Sequence, residues 1–416
     1  MNAMEKSRQI GVAIVGVGGA VSTTAIAGIA LLRQKAIGTE GLPLATLDPA
    51  LAAMLVSYED LVFGGWDLNA ASLAEAAAGH RVLTESQLTK SWDELAKIVP
   101  WPAVGNVRYC RNIEGSHMIA APDHRAAIEI IRGNLRDFQT SNHLDGVVVV
   151  NLASTERTVD PLNPGYQTLA AFEQALDKNS ADIGPAMLYA YAAISEGLPF
   201  ANFTPSVAVD IPALVRFAEA EDVPICGKDG KTGQTMLKTA LAPALRTRAL
   251  HVDGWYSANI LGNRDGKALD DKDSLASKLA TKGSCLDQIV GYKVEDHLVD
   301  IRYYRPRGDN KESWDNIDIT GFLGQPMQIK VNFLCRDSVL AAPLAIELVR
   351  LLDCAKRYGF GGVQEQLGLF FKSPMMTDPT AVPEHALYVQ EARLHAWLRS
   401  IHQRERELVP VSSWKR

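Results

Sequence analysis

The chain reads as an α/β protein with an open-sheet domain from its N-terminal half, completed by C-terminal helices, and a second unit, α+β in character, inserted between them. Three observations carry this reading. An apolar strand runs into a glycine turn at Val12-Ala13-Ile14-Val15-Gly16-Val17-Gly18-Gly19. The unbroken run Val147-Val148-Val149-Val150 has the length and β-branching of a strand covered on both faces. Near residue 227 the composition changes, because ten of the residues from Gly227 to Lys282 are lysine or arginine after an alanine-rich stretch.

Taken in order, residues 10 to 34 read as strand, glycine turn and helix, the opening of a βαβ unit. Glycines let a backbone approach a pyrophosphate, and the amides of the following helix would face it. The strict G-x-G-x-x-G spacing fails at Val21, so a strand followed by a plain tight turn is the bland alternative. A second strand, Asp60 to Gly65, ends at Trp66-Asp67, where folds of the Rossmann type place an acidic residue on ribose hydroxyls. Asp67 is much further from the glycines than the usual spacing of about 20 residues, so an insertion must intervene. Capping of a helix starting at Leu68-Asn69-Ala70 is the competing role for Asp67.

A third buried strand spans Leu144 to Leu152, with Ala153-Ser154-Thr155-Glu156-Arg157 at its carboxyl end, where ligands of open α/β sheets collect. Met187 to Ile194 reads as helix, and Leu198 to Pro205 as a strand ending in a polar turn. The segments His297 to Tyr304 and Met327 to Phe333 alternate as paired strands with one polar face. Residues 338 to 358 form a long apolar helix before a charged, helical tail.

Bulk properties bound the function. A chain of 416 residues, 47% hydrophobic and 22% charged, can bury a large core in two or three domains. A net charge of −6 gives no global field toward nucleic acid or an anionic membrane, so any basic site is local. The cysteines, Cys110, Cys226, Cys285, Cys335 and Cys354, lack C-x-x-C spacing and fit a reducing cytoplasm. Nine histidines form neither H-x-H nor H-E-x-x-H, so no metal site is expected. No run is apolar enough to span a bilayer.

As an ordered set the motifs resemble the inositol-3-phosphate synthase family, also called myo-inositol-1-phosphate synthase. The resemblance is carried by Gly16-Val17-Gly18-Gly19, Gly65-Trp66-Asp67, Ser154-Thr155-Glu156-Arg157, Leu188-Tyr189-Ala190, Pro199-Phe200-Ala201-Asn202, Lys231-Thr232-Gly233-Gln234-Thr235, Ser257-Ala258-Asn259-Ile260-Leu261-Gly262-Asn263, Gly308-Asp309-Asn310-Lys311 and Asp337-Ser338. It implies a Rossmann-like NAD-binding domain from residues 1–226 and 338–416, and a catalytic and tetramerisation domain over 227–337. It also implies a bound NAD recycled within one turnover. Glucose 6-phosphate would be oxidised at C5, enolised at C6, closed onto the C1 aldehyde and reduced. Enolate and aldol alkoxide both place negative charge on oxygen, which lysines in a water-poor pocket stabilise.

By the family pattern the catalytic residues would be Lys231, Lys238, Lys278 and Lys282, with Asp309 orienting one of them. A β-turn aspartate and, for Lys278 and Lys282, a solvated helical face are the plain alternatives. Cofactor contacts would come from Gly16, Gly18, Gly19, Ala20, Val21 and Ser22 at the pyrophosphate and Asp67 at the ribose. Ser154 and Thr155 would lie near the nicotinamide, with Asp182 and Asp265 as further contacts. Asn202, Thr204, Gln234 and Thr235 would hold the substrate phosphate. The chain departs from the pattern at Ala20-Val21, at Phe203-Thr204 and at Arg336, where the family carries a glutamate. A cyclase of a related sugar phosphate, a conventional dehydrogenase and a non-catalytic NAD sensor are therefore the competing readings.

Overall fold

A computed structural model describes residues 8–110, 115–262 and 285–408. Its strands are β1 (Ile10–Val15), β2 (Leu61–Asp67), β3 (Trp101–Pro102), β4 (Gly146–Asn151), β5 (Phe200–Asn202), β6 (Pro224–Gly227), β7 (His251–Leu261), β8 (Asp296–Tyr303), β9 (Asn310–Thr320), β10 (Pro326–Arg336) and β11 (Gly362–Val363).

Seven strands form one parallel sheet in the order β3-β2-β1-β4-β5-β6-β11. From β1 the chain runs outward through β2 and β3, then crosses back to β4 on the other side. This reversal opens a crevice at the carboxyl ends of β1 and β4. Alternate residues explain why these strands are apolar throughout. Val12, Ile14, Val148 and Val150 enter a core with the helices Ala20–Arg33 and Asp337–Arg357. Ala13, Val15, Val147 and Val149 enter the opposite core, beneath the helices His124–Ser141 and Pro185–Ser195.

The insertion before Asp67 occupies residues 34 to 60, whose only α-helix is the single turn Pro49–Ala52. It is latched to the helix Asp337–Arg357. Glu347 accepts from Tyr58 Oη at 2.6 Å and from Leu44 N at 3.1 Å. Arg350 donates to Glu347 at 2.7 Å and to Val56 O at 2.7 Å, with its guanidinium 3.8 Å from the centre of the Tyr58 ring.

The second sheet has the order β10-β9-β7-β8. β7 and β8 are parallel, whereas β9 runs antiparallel to both β7 and β10. The two segments read as partners, β8 and β10, therefore share a sheet but stand at its opposite edges. The intervening β7 and β9 escaped the sequence reading because their buried positions are partly polar. Their inner face is graded. Val252, Trp255, Ile317 and Ile319 pack on Ala242 and Leu245 of the helix Gln234–Thr247. Ser257, Asn259, Lys311, Ser313 and Asp315 continue the same face and are also buried.

Candidate active site

The glycine turn sits at the switch point. Gly16 has φ +85°, and a side chain there would meet the Ala153 backbone at 3.1 Å, so the turn packs directly on the end of β4. Gly19 caps the helix Ala20–Arg33 without a side-chain acceptor, leaving the first-turn amides of Ala20, Val21 and Ser22 without intrahelical partners. Ser22 Oγ turns back to Gly16 O at 2.8 Å. These features fit a pyrophosphate at the helix N-terminus.

Asp67 accepts from Gly18 N at 2.9 Å through one oxygen and from Asn69 N at 2.9 Å through the other. The helix expected at Leu68 does not form. The next one is Leu73–His80, with its own capping box from Ser72 and Glu75, so the capping role for Asp67 is corrected to a local turn that also fixes the glycine loop. His80 adds a contact absent from the sequence reading, its Nε2 donating to Gly18 O at 2.7 Å. A β-carbon on Gly18 would approach Asp67 Oδ2 to 3.0 Å. Gly18→Val is therefore expected to displace the carboxylate and raise the NAD dissociation constant at least about tenfold, a loss of one charge-assisted contact. Equilibrium dialysis checks it, and unchanged affinity would place the dinucleotide elsewhere.

Ser154 and Thr155 follow β4, and their carbonyls face Cys110 Sγ at 3.9 and 3.6 Å. Asp182 is exposed on the loop before the helix Pro185–Ser195, where its backbone carbonyl accepts from Tyr166 Oη. Beside them Glu156 is wholly buried and accepts from Ala186 N at 2.9 Å. Burial pushes its carboxyl up to about 8, against the lowering effect of that hydrogen bond and of Arg157.

The lysine pocket forms between the two sheets. Lys231 is 3% exposed and donates to Gln390 Oε1, on the C-terminal helix Leu387–Leu408. Lys238 is 2% exposed, with its Nζ 2.7 Å from His297 Nε2 on β8 and 5.7 Å from the centre of the Trp255 ring. Burial pushes both amines down to about 8. Both act on the buried thiol of Cys285, which places the two amines in one neighbourhood. His385, also buried, is driven down to about 4 by burial and then by Lys231.

Two more buried lysines join them. Lys372 pairs with Asp229 at 2.6 Å, and Lys311 lies 3.4 Å from Asp337, which also accepts from Thr232 Oγ1 at 2.9 Å. Lys278, Lys282 and Asp265 lie outside the described residues.

Among the described residues Asp309 meets a serine and not Lys231 or Lys238. It accepts from Ser338 Oγ at 2.6 Å, at the start of the helix Asp337–Arg357, and its acidity is weakened chiefly by burial. The Gly-Asp-x-Lys spacing puts Lys311 on β9 and Asp309 in the turn before it, so Asp309 meets the helix instead.

The expected phosphate ligands are engaged with protein. Asn202 donates to Ser206 O at 2.6 Å and accepts from Thr204 Oγ1 at 3.0 Å and Asn151 Nδ2 at 3.2 Å. Gln234 and Thr235 are buried at the start of the helix Gln234–Thr247, whose cap Gly233 provides no side chain. Gln234 Nε2 donates to Asp315 at 3.1 Å and its Oε1 accepts from Asn259 Nδ2 at 2.6 Å.

Asp315 was missed from the sequence. It accepts from Trp255 Nε1 and Ser257 Oγ as well, each at 2.7 Å. Polar residues at every second position of a strand, Lys311, Ser313 and Asp315, were the available signal. Nothing in the sequence marked Gln390 or His385.

Residues 49–399 match the family described as myo-inositol-1-phosphate synthase. Inositol-3-phosphate synthase 1 of Bacteroides thetaiotaomicron is 45% identical, covering 94% of this chain and 95% of its own length. Inositol-3-phosphate synthase isozyme 1 of Arabidopsis thaliana is 31% identical, covering 83% of this chain and 71% of the plant protein. The crystal structure of inositol-3-phosphate synthase from Caenorhabditis elegans superposes with a TM-score of 0.89 at 26% identity, over 95% of this chain and 86% of that one. A glycine turn at the switch point, a buried lysine pocket and matches along nearly the whole length agree, and the chain belongs to the myo-inositol-1-phosphate synthase family.

Proposed function

We propose that this chain converts glucose 6-phosphate to 1D-myo-inositol 3-phosphate, with NAD oxidising and re-reducing the sugar within one turnover. The observation that carries this is the burial of two amines, Lys231 and Lys238, at 3% and 2% exposure, which pushes both down to about 8. An amine poised at about 8 exchanges a proton readily at physiological pH, and as ammonium it stabilises a developing oxyanion. Lys231 and Lys238 take the protons shed from the C5 hydroxyl and from C6, and return one to the alkoxide formed on ring closure and the other to the C5 oxygen on the final reduction. Lys311 and Lys372, each beside a carboxylate, add positive charge without adding net charge to the pocket. The uncapped start of the helix Gln234–Thr247 offers its amides to the phosphate, a role in which Thr235 joins.

The glycine turn with Asp67 supports NAD in the crevice between β1 and β4. The inserted segment 227–337 supplies most of the lysine pocket, and the return of the chain to β11 supports counting 338–416 with the N-terminal part. The outer face of the second sheet exposes Tyr256, Leu298, Trp314 and Leu334, which favours burial against further copies in a homotetramer. Sedimentation velocity tests that assembly. A cytoplasmic location rests on the cysteines, scattered without C-x-x-C spacing.

Purified protein incubated with glucose 6-phosphate and NAD should yield a cyclitol phosphate by phosphorus NMR, with no lasting absorbance change at the reduced-nicotinamide band. Stoichiometric reduced cofactor would favour a dehydrogenase, and no conversion would favour a sensor. Desolvated lysines are costly to keep in a protein that only binds NAD.

A further inference from the structure

We propose that Asn259 and Ser313 form a subsite for one non-reacting hydroxyl of the sugar phosphate, in which Asn259 serves only as hydrogen-bond acceptor. The inference rests on the sugar-phosphate reading of the pocket.

The two residues are register partners on adjacent strands, Asn259 on β7 opposite Ser313 on β9, and both face inward. Such pairs bring β-carbons within about 5 Å. They are 1% and 2% exposed, yet Asn259 Oδ1 and Ser313 Oγ make no hydrogen bond. Orphaned polar atoms at such depth are rare, and two side by side point to a partner the protein does not supply.

What that partner must be follows from a chain of orientations that begins at Asp315. Its carboxyl receives Trp255 Nε1, which can only donate, and Ser257 Oγ. The end of Gln234 that faces both Asp315 oxygens must therefore be its NH2 group. Gln234 then presents its carbonyl to Asn259, and Asn259 answers with its own NH2 group. Only Oδ1 is left to face the orphaned Ser313 hydroxyl. A phosphate oxygen, which cannot donate, is repelled there. A sugar hydroxyl fits, donating its proton to Asn259 Oδ1 while accepting from Ser313 Oγ. Lys311, two residues before Ser313 on the same face, puts this position within the lysine pocket. Asp315 and Gln234 are positioning residues, and Asn259 and Ser313 are the selecting contacts.

The test uses glucose 6-phosphate and its 2-, 3- and 4-deoxy and deoxyfluoro analogues on the full chain with NAD. Both kcat/KM and calorimetric Kd are read for wild type, Asn259→Ala and Ser313→Ala. One position is expected to stand out in the wild type, its deoxy analogue losing ten- to a hundredfold. The fluoro analogue, which cannot donate, should lose as much. In Asn259→Ala the penalty at that position should fall to within twofold while the other two positions keep theirs, and Ser313→Ala should show part of the same change. Because each ratio is internal to one variant, a loss of folded protein does not alter it. Equal losses for every analogue, or no coupling at any position in a protein that turns over glucose 6-phosphate, would overturn this inference alone. Coupling in Kd without turnover would overturn the cyclase reading alone.

Discussion

Replacing Lys231 by methionine is expected to cut turnover severely and, at the same time, to make the ligand-free protein more stable. The amine holds a folded-state pKa of about 8 against an ordinary 10.5, because burial strips its ammonium of water. At pH 7 the protonated lysine therefore carries a penalty on the order of 3 kcal/mol. Methionine removes that penalty but leaves Gln390 Oε1 without its donor, which costs about 1 kcal/mol. A net gain on the order of 1–2 kcal/mol remains, readable by urea unfolding. Turnover should fall by about 10²–10³ or more, as for loss of one preorganised oxyanion partner. The pH dependence has a definite sign. The folded-state pKa lies below the unfolded one, so the unfolded chain holds more protons between pH 8 and 10.5. Wild-type stability contributed by this group rises through that window and is lowest, and flat, below it. The advantage of Lys231→Met should accordingly shrink from pH 8 upward. A variant less stable than wild type at pH 7, or one that turns over within about tenfold of wild type, would count against a desolvated catalytic amine.

Arg350→Met is expected to do the reverse. Glu347 is fully buried, and its only ion-pair partner among the described residues is Arg350. Removing the guanidinium strands a carboxylate in the core, a loss of about 3–5 kcal/mol. It also frees Val56 O and the Tyr58 ring, so the segment 34–60 loses its latch. The lysine pocket is untouched, and kcat per bound NAD in the folded fraction should stay within about twofold of wild type. The double variant Glu347→Gln with Arg350→Met should recover more than half of the lost stability, because the stranded charge is gone. Urea midpoints of the single and double variants decide the matter.

These two sites show what the sequence could and could not disclose. β1 and β4 were legible because both faces of each strand are covered, which makes nearly every residue apolar. The glycine turn was legible because its backbone must pass close to Ala153 and leave an amide end open. β7 and β9 were not, since Ser257, Asn259, Ser313 and Asp315 occupy inward positions that an ordinary strand would fill with hydrocarbon. Asp309 was expected to orient one of the four catalytic lysines, and its spacing gave no sign that the turn faces Ser338. The link from Lys231 to Gln390 crosses 159 positions, and no local pattern encodes such a contact.

The closing strand β11 lies beyond the entire second sheet, and Arg8 at the start of the described chain pairs with Asp353 near its end. A nascent polypeptide emerging from the ribosome therefore cannot finish its first layer until residue 363 has been translated. Nor does the amine at position 231 receive its acceptor before residue 390 emerges. Shorter products of translation are left with raw edges and an unanswered amine, which ties competence to the emergence of the helix that carries residue 390.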